Sequence, residues 1–158
     1  MNIYKNFLSK KKFNELKFNL MGNHMPWYFK EGVNSVVDKN FQFTFSFIID
    51  GKINCSEKYL NLLKPILEKI KFKTLNRIKA NLLVKDIKNI EHGMHTDQEK
   101  GTTGIFYVNT CNGYTRFKNN KKIKSKENTY IEFDSTLEHT GASCTDKKRR
   151  VVINFNYS

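Results

Sequence analysis

Several residue types are scarce in this chain, and each scarcity excludes something. Its 158 residues include three cysteines, two prolines, one tryptophan and eight glycines. No apolar run approaches the length of a membrane-spanning helix, and the start, Met1 to Asn6, lacks the apolar core of a signal peptide. A cytoplasmic chain without a membrane partner is therefore expected. Cys55, Cys111 and Cys144 are odd in number and have no metal-ligand spacing, so they read as free thiols in a reducing compartment. There is no internal repeat, linker or low-complexity stretch, and residues 1–158 read as one domain around one core. Arginine is scarce as well. The formal charge is +13, yet only Arg77, Arg116, Arg149 and Arg150 of the 28 basic residues are arginine. Nucleic-acid interfaces more often show arginine clusters interleaved with aromatics. Lysine, asparagine, isoleucine and phenylalanine are also what AT-rich coding favours. The charge thus reads first as a lysine-rich solvated surface, and nucleic acid is the less favoured partner.

What the chain does have is aromatic mass and clear periodicity. Thirteen phenylalanines and seven tyrosines can fill a core. Phe13, Leu16 and Leu20 recur at helical spacing and predict a helix over residues 7–21. The segment from His24 to Phe29 gathers the tryptophan with other aromatics, either as a wall of a substrate mouth or as a core anchor. Phe41, Phe43, Phe45 and Phe47 alternate with Gln42, Thr44 and Ser46, which predicts a half-buried strand, and Asp50-Gly51 predicts a turn. Ser56 can cap a second helix running to about Ile70, with Pro65 kinking or breaking it. From Leu75 onward the pattern is strand-like. It starts with residues 77–84, in which Arg77, Lys79, Asn81 and Leu83 share a face. Two helices and about eight antiparallel strands predict an α+β fold with a jelly-roll double sheet.

The chemistry concentrates in Glu91-His92-Gly93-Met94-His95-Thr96-Asp97. On an extended strand His95 and Asp97 point to one face. The only later histidine is His139, and Arg150 follows it by eleven residues. Two histidines and one carboxylate in this order suit a facial triad for non-haem iron(II), with open positions for other ligands. His92 stands three residues from His95 and would face the other way on a strand. A hairpin between His139 and the last strand would carry Arg150 to the metal face. Along that strand Arg150 shares a side with Val152, Asn154 and Asn156, while Arg149 shares one with Ile153 and Phe155. Arg150 is therefore the inward guanidinium, suited to a carboxylate, and Arg149 is expected at the surface beside Lys147 and Lys148.

These motifs together resemble the Fe(II)- and 2-oxoglutarate-dependent oxygenases, most of all small phage and marine-bacterial members related to prolyl hydroxylases. The resemblance runs from Met25-Pro26-Trp27-Tyr28 through Arg77 to Leu82, His92 to Asp97, Thr103 to Asn109 and Gly113 to Phe117. It ends with His139-Thr140-Gly141 and Arg150 to Tyr157. It implies a double-stranded β-helix core, cupin-like, with two helices from the N-terminal half packed on one sheet. It also implies iron at His95, Asp97 and His139, and a clamp for the distal carboxylate of 2-oxoglutarate at Arg150. Tyr107 and Asn81 match further co-substrate contacts, with ordinary strand packing as the alternative for both. Relatives often carry a tyrosine where this chain has Leu83. The implied reaction couples decarboxylation of 2-oxoglutarate, with O2, to hydroxylation of an acceptor, with ascorbate as a candidate reductant. Peptide, nucleobase and small-molecule acceptors all remain open. Two other readings compete: a cupin-like metalloenzyme without 2-oxoglutarate, against which Arg150 argues, and a non-catalytic basic module that binds nucleic acid.

Overall fold

Alternation of apolar and polar residues has to place two different surfaces on the two sides of each strand, and here it does so across a large antiparallel sheet. The computed structural model describes residues 1–33 and 40–158. In chain order the elements are β1 (Asn2–Lys5), α1 (Lys10–Met21), β2 (Tyr28–Glu31), β3 (Phe41–Ile49), β4 (Lys52–Ile53) and α2 (Glu57–Leu67). They continue with β5 (Leu75–Val84), β6 (Thr102–Tyr107), β7 (Tyr114–Phe117) and β8 (Lys122–Lys124). The last are β9 (Thr129–Asp134), β10 (His139–Gly141) and β11 (Arg149–Tyr157). The large sheet runs β1-β9-β6-β11-β5-β3-β2, with β4 added against β3, and a small sheet runs β10-β7-β8.

The outer face of the large sheet carries Phe45, Phe47, Ile78, Ala80, Phe106, Val151, Ile153 and Phe155. Against them pack Phe13, Leu16 and Leu20 of α1 and Leu63 and Ile66 of α2. Both helices cover this one face, as the jelly-roll expectation requires. A second apolar cluster forms on the inner face, where Ile105, Tyr107, Ile131, Phe133 and Val152 meet Phe117 of the small sheet. The two clusters make a layered fold: helices, large sheet, small sheet.

Some expectations are corrected. The first helix begins at Lys10 rather than residue 7, after Asn6 turns with φ of 51°. The second ends at Leu67, two residues beyond Pro65, instead of reaching Ile70. A proline inside a helix lacks the N–H for one backbone bond and crowds the preceding turn, which fits so early an end. The short strands β1, β2, β4 and β8 lack a legible alternation, and they pair at edges or in turns. Trp27 packs against the outer core, so the anchor reading describes it, while Tyr28 and Phe29 are exposed on β2.

Two corrections concern the end of the chain. β10 and β11 do not form a hairpin: β10 pairs with β7, whereas β11 lies between β5 and β6. The link from Ala142 to Lys148 instead carries the chain from the small sheet to the large one. Arg149 is not a free surface residue either. It is half-buried, and its guanidinium donates to the carbonyl of Met21, the last residue of α1. Carbonyls at a helix C-terminus lack intrahelical partners and attract cations. Replacing Arg149 with alanine is therefore expected to lower stability by about 1.5–3 kcal/mol, the range for a hydrogen bond to a charged group. Urea unfolding reads this loss, and an unchanged midpoint would contradict the role of Arg149 at α1.

Candidate metal and anion site

The inner face of the large sheet changes character along its strands. Near β9 it is apolar, but on β5, β11 and β3 it is polar. The register places Arg150 opposite Leu83, Val152 opposite Asn81, Asn154 opposite Lys79 and Asn156 opposite Arg77. Across the other edge of β5, Asn81 pairs with Thr44 and Lys79 with Ser46. Above this polar floor lies a cavity of about 270 Å³, closed on its other side by His92, His95 and Asp97 and by His139 and Gly141.

Backbone pairing brings the histidines together. The amide of His95 donates to the carbonyl of His139 at 3.0 Å, and the amide of His139 returns the bond at 2.9 Å. The Asp97 amide donates to the Ser135 carbonyl at 3.1 Å. One ligand atom from each of His95, Asp97 and His139 then falls within 4.8 Å of the others, and the two imidazole centroids are 4.7 Å apart. Both rings have an outer partner. His139 Nδ1 lies 2.9 Å from the Leu137 carbonyl and His95 Nδ1 lies 3.2 Å from the Gly93 carbonyl. A carbonyl can only accept, so Nδ1 carries the proton and the Nε2 lone pair is left for the cavity. Burial, and then the nearby His139, push the His95 pKa down, which favours the neutral imidazole that a metal requires.

Asp97 is held from both sides. Arg77 Nη2 donates to Oδ1 at 2.7 Å and Thr103 Oγ1 donates to Oδ2 at 2.8 Å, while His139 Nε2 lies 3.6 Å from Oδ2. Burial works to raise this carboxyl, but His139, Arg77 and the Thr103 hydroxyl outweigh it, and the pKa falls below the usual carboxylate range. Arg77 is itself braced by Asn156, whose Oδ1 accepts from Nε at 2.8 Å. Sequence reading grouped Arg77 with Lys79, Asn81 and Leu83 on one face but did not assign it to Asp97. The alternation along β5 was the available signal.

His92 lines the same cavity, contrary to the parity expectation. The reason is a change of register. Glu91 bridges Ala142 and His95 bridges His139, so four steps on one segment oppose three on the other. One extra residue reverses the alternation, as a bulge does, and brings His92 round to the side of His95.

Arg150 is 3% exposed and forms part of the cavity wall. Its Nε donates to Ser125 Oγ at 3.0 Å and its Nη2 to Thr115 Oγ1 at 3.3 Å, and the guanidinium carbon sits 5.7 Å from the centre of the Tyr107 ring. No acidic side chain among the described residues pairs with it. Burial lowers its pKa. The stem of Arg150 passes over Gly113, where an added Cβ would come within 2.5 Å of Cδ, so this position needs glycine for close approach. Tyr107 is fully buried behind this wall, and its hydroxyl donates to Thr115 Oγ1 at 2.9 Å. Asn81 is on the cavity floor, and its Oδ1 has no hydrogen-bond partner among the described residues. Leu83 also lines the cavity.

The segment bearing His95 is tied to the small sheet by Glu91. Its carboxylate accepts from Arg116 Nε at 2.9 Å, from Arg116 Nη2 at 2.5 Å and from the Tyr114 hydroxyl at 2.8 Å.

Neither a protein-family model nor any curated protein matches the sequence. Solved structures do match. A 2OG-Fe(II) oxygenase family oxidoreductase from Burkholderia pseudomallei superposes with a TM-score of 0.64 at 13% identity, covering 94% of this chain and 78% of that one. A prolyl hydroxylase from Trichoplax adhaerens, in complex with a hypoxia inducible factor oxygen degradation domain peptide fragment, gives 0.64 at 15% identity, covering 99% and 82%. A prolyl-4-hydroxylase from Pseudomonas putida gives 0.60 at 10% identity, covering 99% and 92%.

The Arg116 hydrogen bonds, working against burial, hold the Glu91 carboxyl at about 2, with Tyr114 and the charges of Arg116 and Lys122 adding to them. A carboxyl depressed by folding stabilises the fold above its ordinary pKa of 4.5, and that contribution is lost as pH falls from 4.5 through about 2. Glu91→Gln is expected to flatten the pH dependence of the unfolding midpoint in this window, and an unchanged profile would show that the Glu91 brace adds nothing. At the identities found, the superpositions establish architecture: this chain has the double-sheeted fold shared by 2OG-Fe(II) oxygenase and prolyl hydroxylase structures.

Proposed function

We propose that the chain is an Fe(II)- and 2-oxoglutarate-dependent oxygenase of a single domain over residues 1–158, and that it hydroxylates an acceptor. One observation carries this reading. A two-histidine, one-carboxylate cluster and a buried arginine without an acidic partner among the described residues line the same small cavity. A metal triad alone would suit many reactions. A buried cation alone would be costly and call for an anion. Together they provide for a metal and for an anionic molecule beside it.

The donor set fits the metal. Two imidazoles with Nδ1 bound to carbonyls offer Nε2, and Asp97 is ionised and oriented by Arg77 and Thr103. Borderline nitrogen and hard oxygen donors in this combination suit Fe(II) while leaving positions open. His95, Asp97 and His139 would hold the ion. Arg150 would hold the distal carboxylate of 2-oxoglutarate, using donors that Ser125 and Thr115 do not engage. Tyr107 supports that clamp from behind through its ring and through Thr115. Asn81, whose side chain stands on the cavity floor, would offer its Nδ2 as a further donor to the co-substrate. When bound, iron and 2-oxoglutarate supply the oxidising chemistry, with O2 as co-substrate and ascorbate as a candidate reductant. The chain supplies position, with Ile105 and Val152 as an apolar part of the cavity wall.

The prolyl hydroxylase neighbour from Trichoplax adhaerens holds a peptide. A peptide acceptor is one candidate for this chain on that likeness. Arg150 also argues against a cupin-type enzyme without 2-oxoglutarate, because such chemistry needs no clamp for a second carboxylate.

Anaerobic addition of Fe(II) and 2-oxoglutarate is expected to give a weak visible charge-transfer band, and admission of O2 to yield succinate. His95→Ala should abolish the band, and Arg150→Ala should raise the 2-oxoglutarate concentration needed for it by about tenfold or more, as loss of a charge-assisted pair implies. A wild-type protein that shows neither band nor succinate would overturn the proposal.

A further inference from the structure

The cavity has more positive charge than a single clamp uses. Besides Arg150 it is lined by Arg77, Lys79 and Lys30, and Asp97 is the only acid among the described lining residues. Arg77 is committed to Asp97 and Asn156. Lys79 and Lys30 have no ion-pair or hydrogen-bond partner among the described residues. Lys79 stands half-buried on the polar floor, between Ser46 and Asn154, and Lys30 is exposed on the edge strand β2 opposite Gln42.

Their placement separates them from the Arg150 end. Lys79 pairs with Asn154 and Arg150 pairs with Leu83, so the two positions are four residues apart along β5. At strand rise this is about 13 Å of backbone, which sets the two cations at separate ends of the polar floor. Lys79 lies instead toward the triad. It stands two residues from Arg77, the partner of Asp97, and Asp97 is near enough to act on its charge. An ammonium held among like charges in a half-buried site is unfavourable unless an anion joins it. Burial, and then Arg77 and Lys30, push the Lys79 pKa down to about 8, with Asp97 opposing them. The remaining floor offers an acceptor oxygen at Asn154, whose Oδ1 has no hydrogen-bond partner among the described residues.

We propose that the acceptor is anionic, with its carboxylate or phosphate held by Lys79 and drawn in past Lys30, in a subsite distinct from the Arg150 clamp. This rests on the oxygenase reading for the word acceptor, though not for the binding of the anion. The cavity, at about 270 Å³, lies at the small end for ligand sites and must also admit the co-substrate. It therefore suits a small anionic acceptor, or the small reacting end of one, whose charged group lies close to the carbon presented to the triad.

The test uses the wild-type chain without metal or 2-oxoglutarate. Lysines are labelled with limiting acetic anhydride and read residue by residue by mass spectrometry, with inorganic pyrophosphate in one arm and malonate in the other. Occupancy at about ten times the dissociation constant should slow labelling of Lys79 about tenfold and leave exposed Lys58 unchanged. Protection by pyrophosphate alone assigns a phosphate, and protection by malonate alone a carboxylate. Protection should persist in Arg150→Met. No selective protection of Lys79 in either arm overturns the proposal. In a second measurement, Lys79→Met should keep the 2-oxoglutarate charge-transfer band. If it loses the band as fully as Arg150→Ala does, Lys79 belongs to the co-substrate and the separate subsite is wrong. If the wild type gives no band at all, the oxygenase reading fails, while the labelling result still decides whether Lys79 binds an anion.

Discussion

Two backbone hydrogen bonds between His95 and His139 hold the site together. They join residues 44 apart in sequence and come from a loop segment and a three-residue strand, neither of which would be rigid alone. The reciprocal pair sets the distance between the imidazoles, and the carbonyls of Gly93 and Leu137 set their tautomers. Asp97 follows two residues later and is aimed by Arg77 and Thr103 from the large sheet. The candidate metal centre thus depends on contacts from both sheets. Any change in their separation would move its ligands relative to one another.

The same layering explains why the cavity is polar where it is. Helices α1 and α2 cover the outer face of the large sheet, which leaves the inner face to meet only three short strands. Phe117 from β7 closes the apolar part. Beyond it the small sheet does not pack directly on β5 and β11, and the cavity-facing positions there carry Asn81, Lys79, Asn154 and Arg150. A buried guanidinium there is tolerable because hydroxyls from Ser125 and Thr115 and the face of Tyr107 surround it. They do not neutralise it, so the wall retains a positive field for an anionic ligand.

Period-two patterns made much of this legible in the sequence. The alternation of Val152, Asn154 and Asn156 placed Arg150 inward, and the alternation on β5 put Asn81, Lys79 and Arg77 on one face, which the structure turns to the cavity. The order His95, Asp97, His139 identified the cluster that the structure brings within ligand distance. The failures have a common cause, which is pairing between distant segments. A single extra residue between Glu91 and His95 reverses the facing of His92, and nothing local in Glu91 to Asp97 encodes it. The exchange of sheets between β10 and β11 depends on partners elsewhere, as does the contact of Arg149 with α1. Cys111 and Cys144 are far apart in sequence and show no metal spacing, yet their thiols lie within 4.8 Å of each other and of the Asp146 carboxylate.

In the proposed function the triad and Arg150 are two ends of one binding site. If so, a divalent ion and 2-oxoglutarate must bind with positive coupling. The most direct measurement is calorimetric titration of 2-oxoglutarate into the protein with and without Mn(II). The metal is expected to tighten 2-oxoglutarate binding by about tenfold or more, a coupling of about 1.4 kcal/mol, and His139→Ala to remove this coupling. Equal affinity with and without the metal would contradict it.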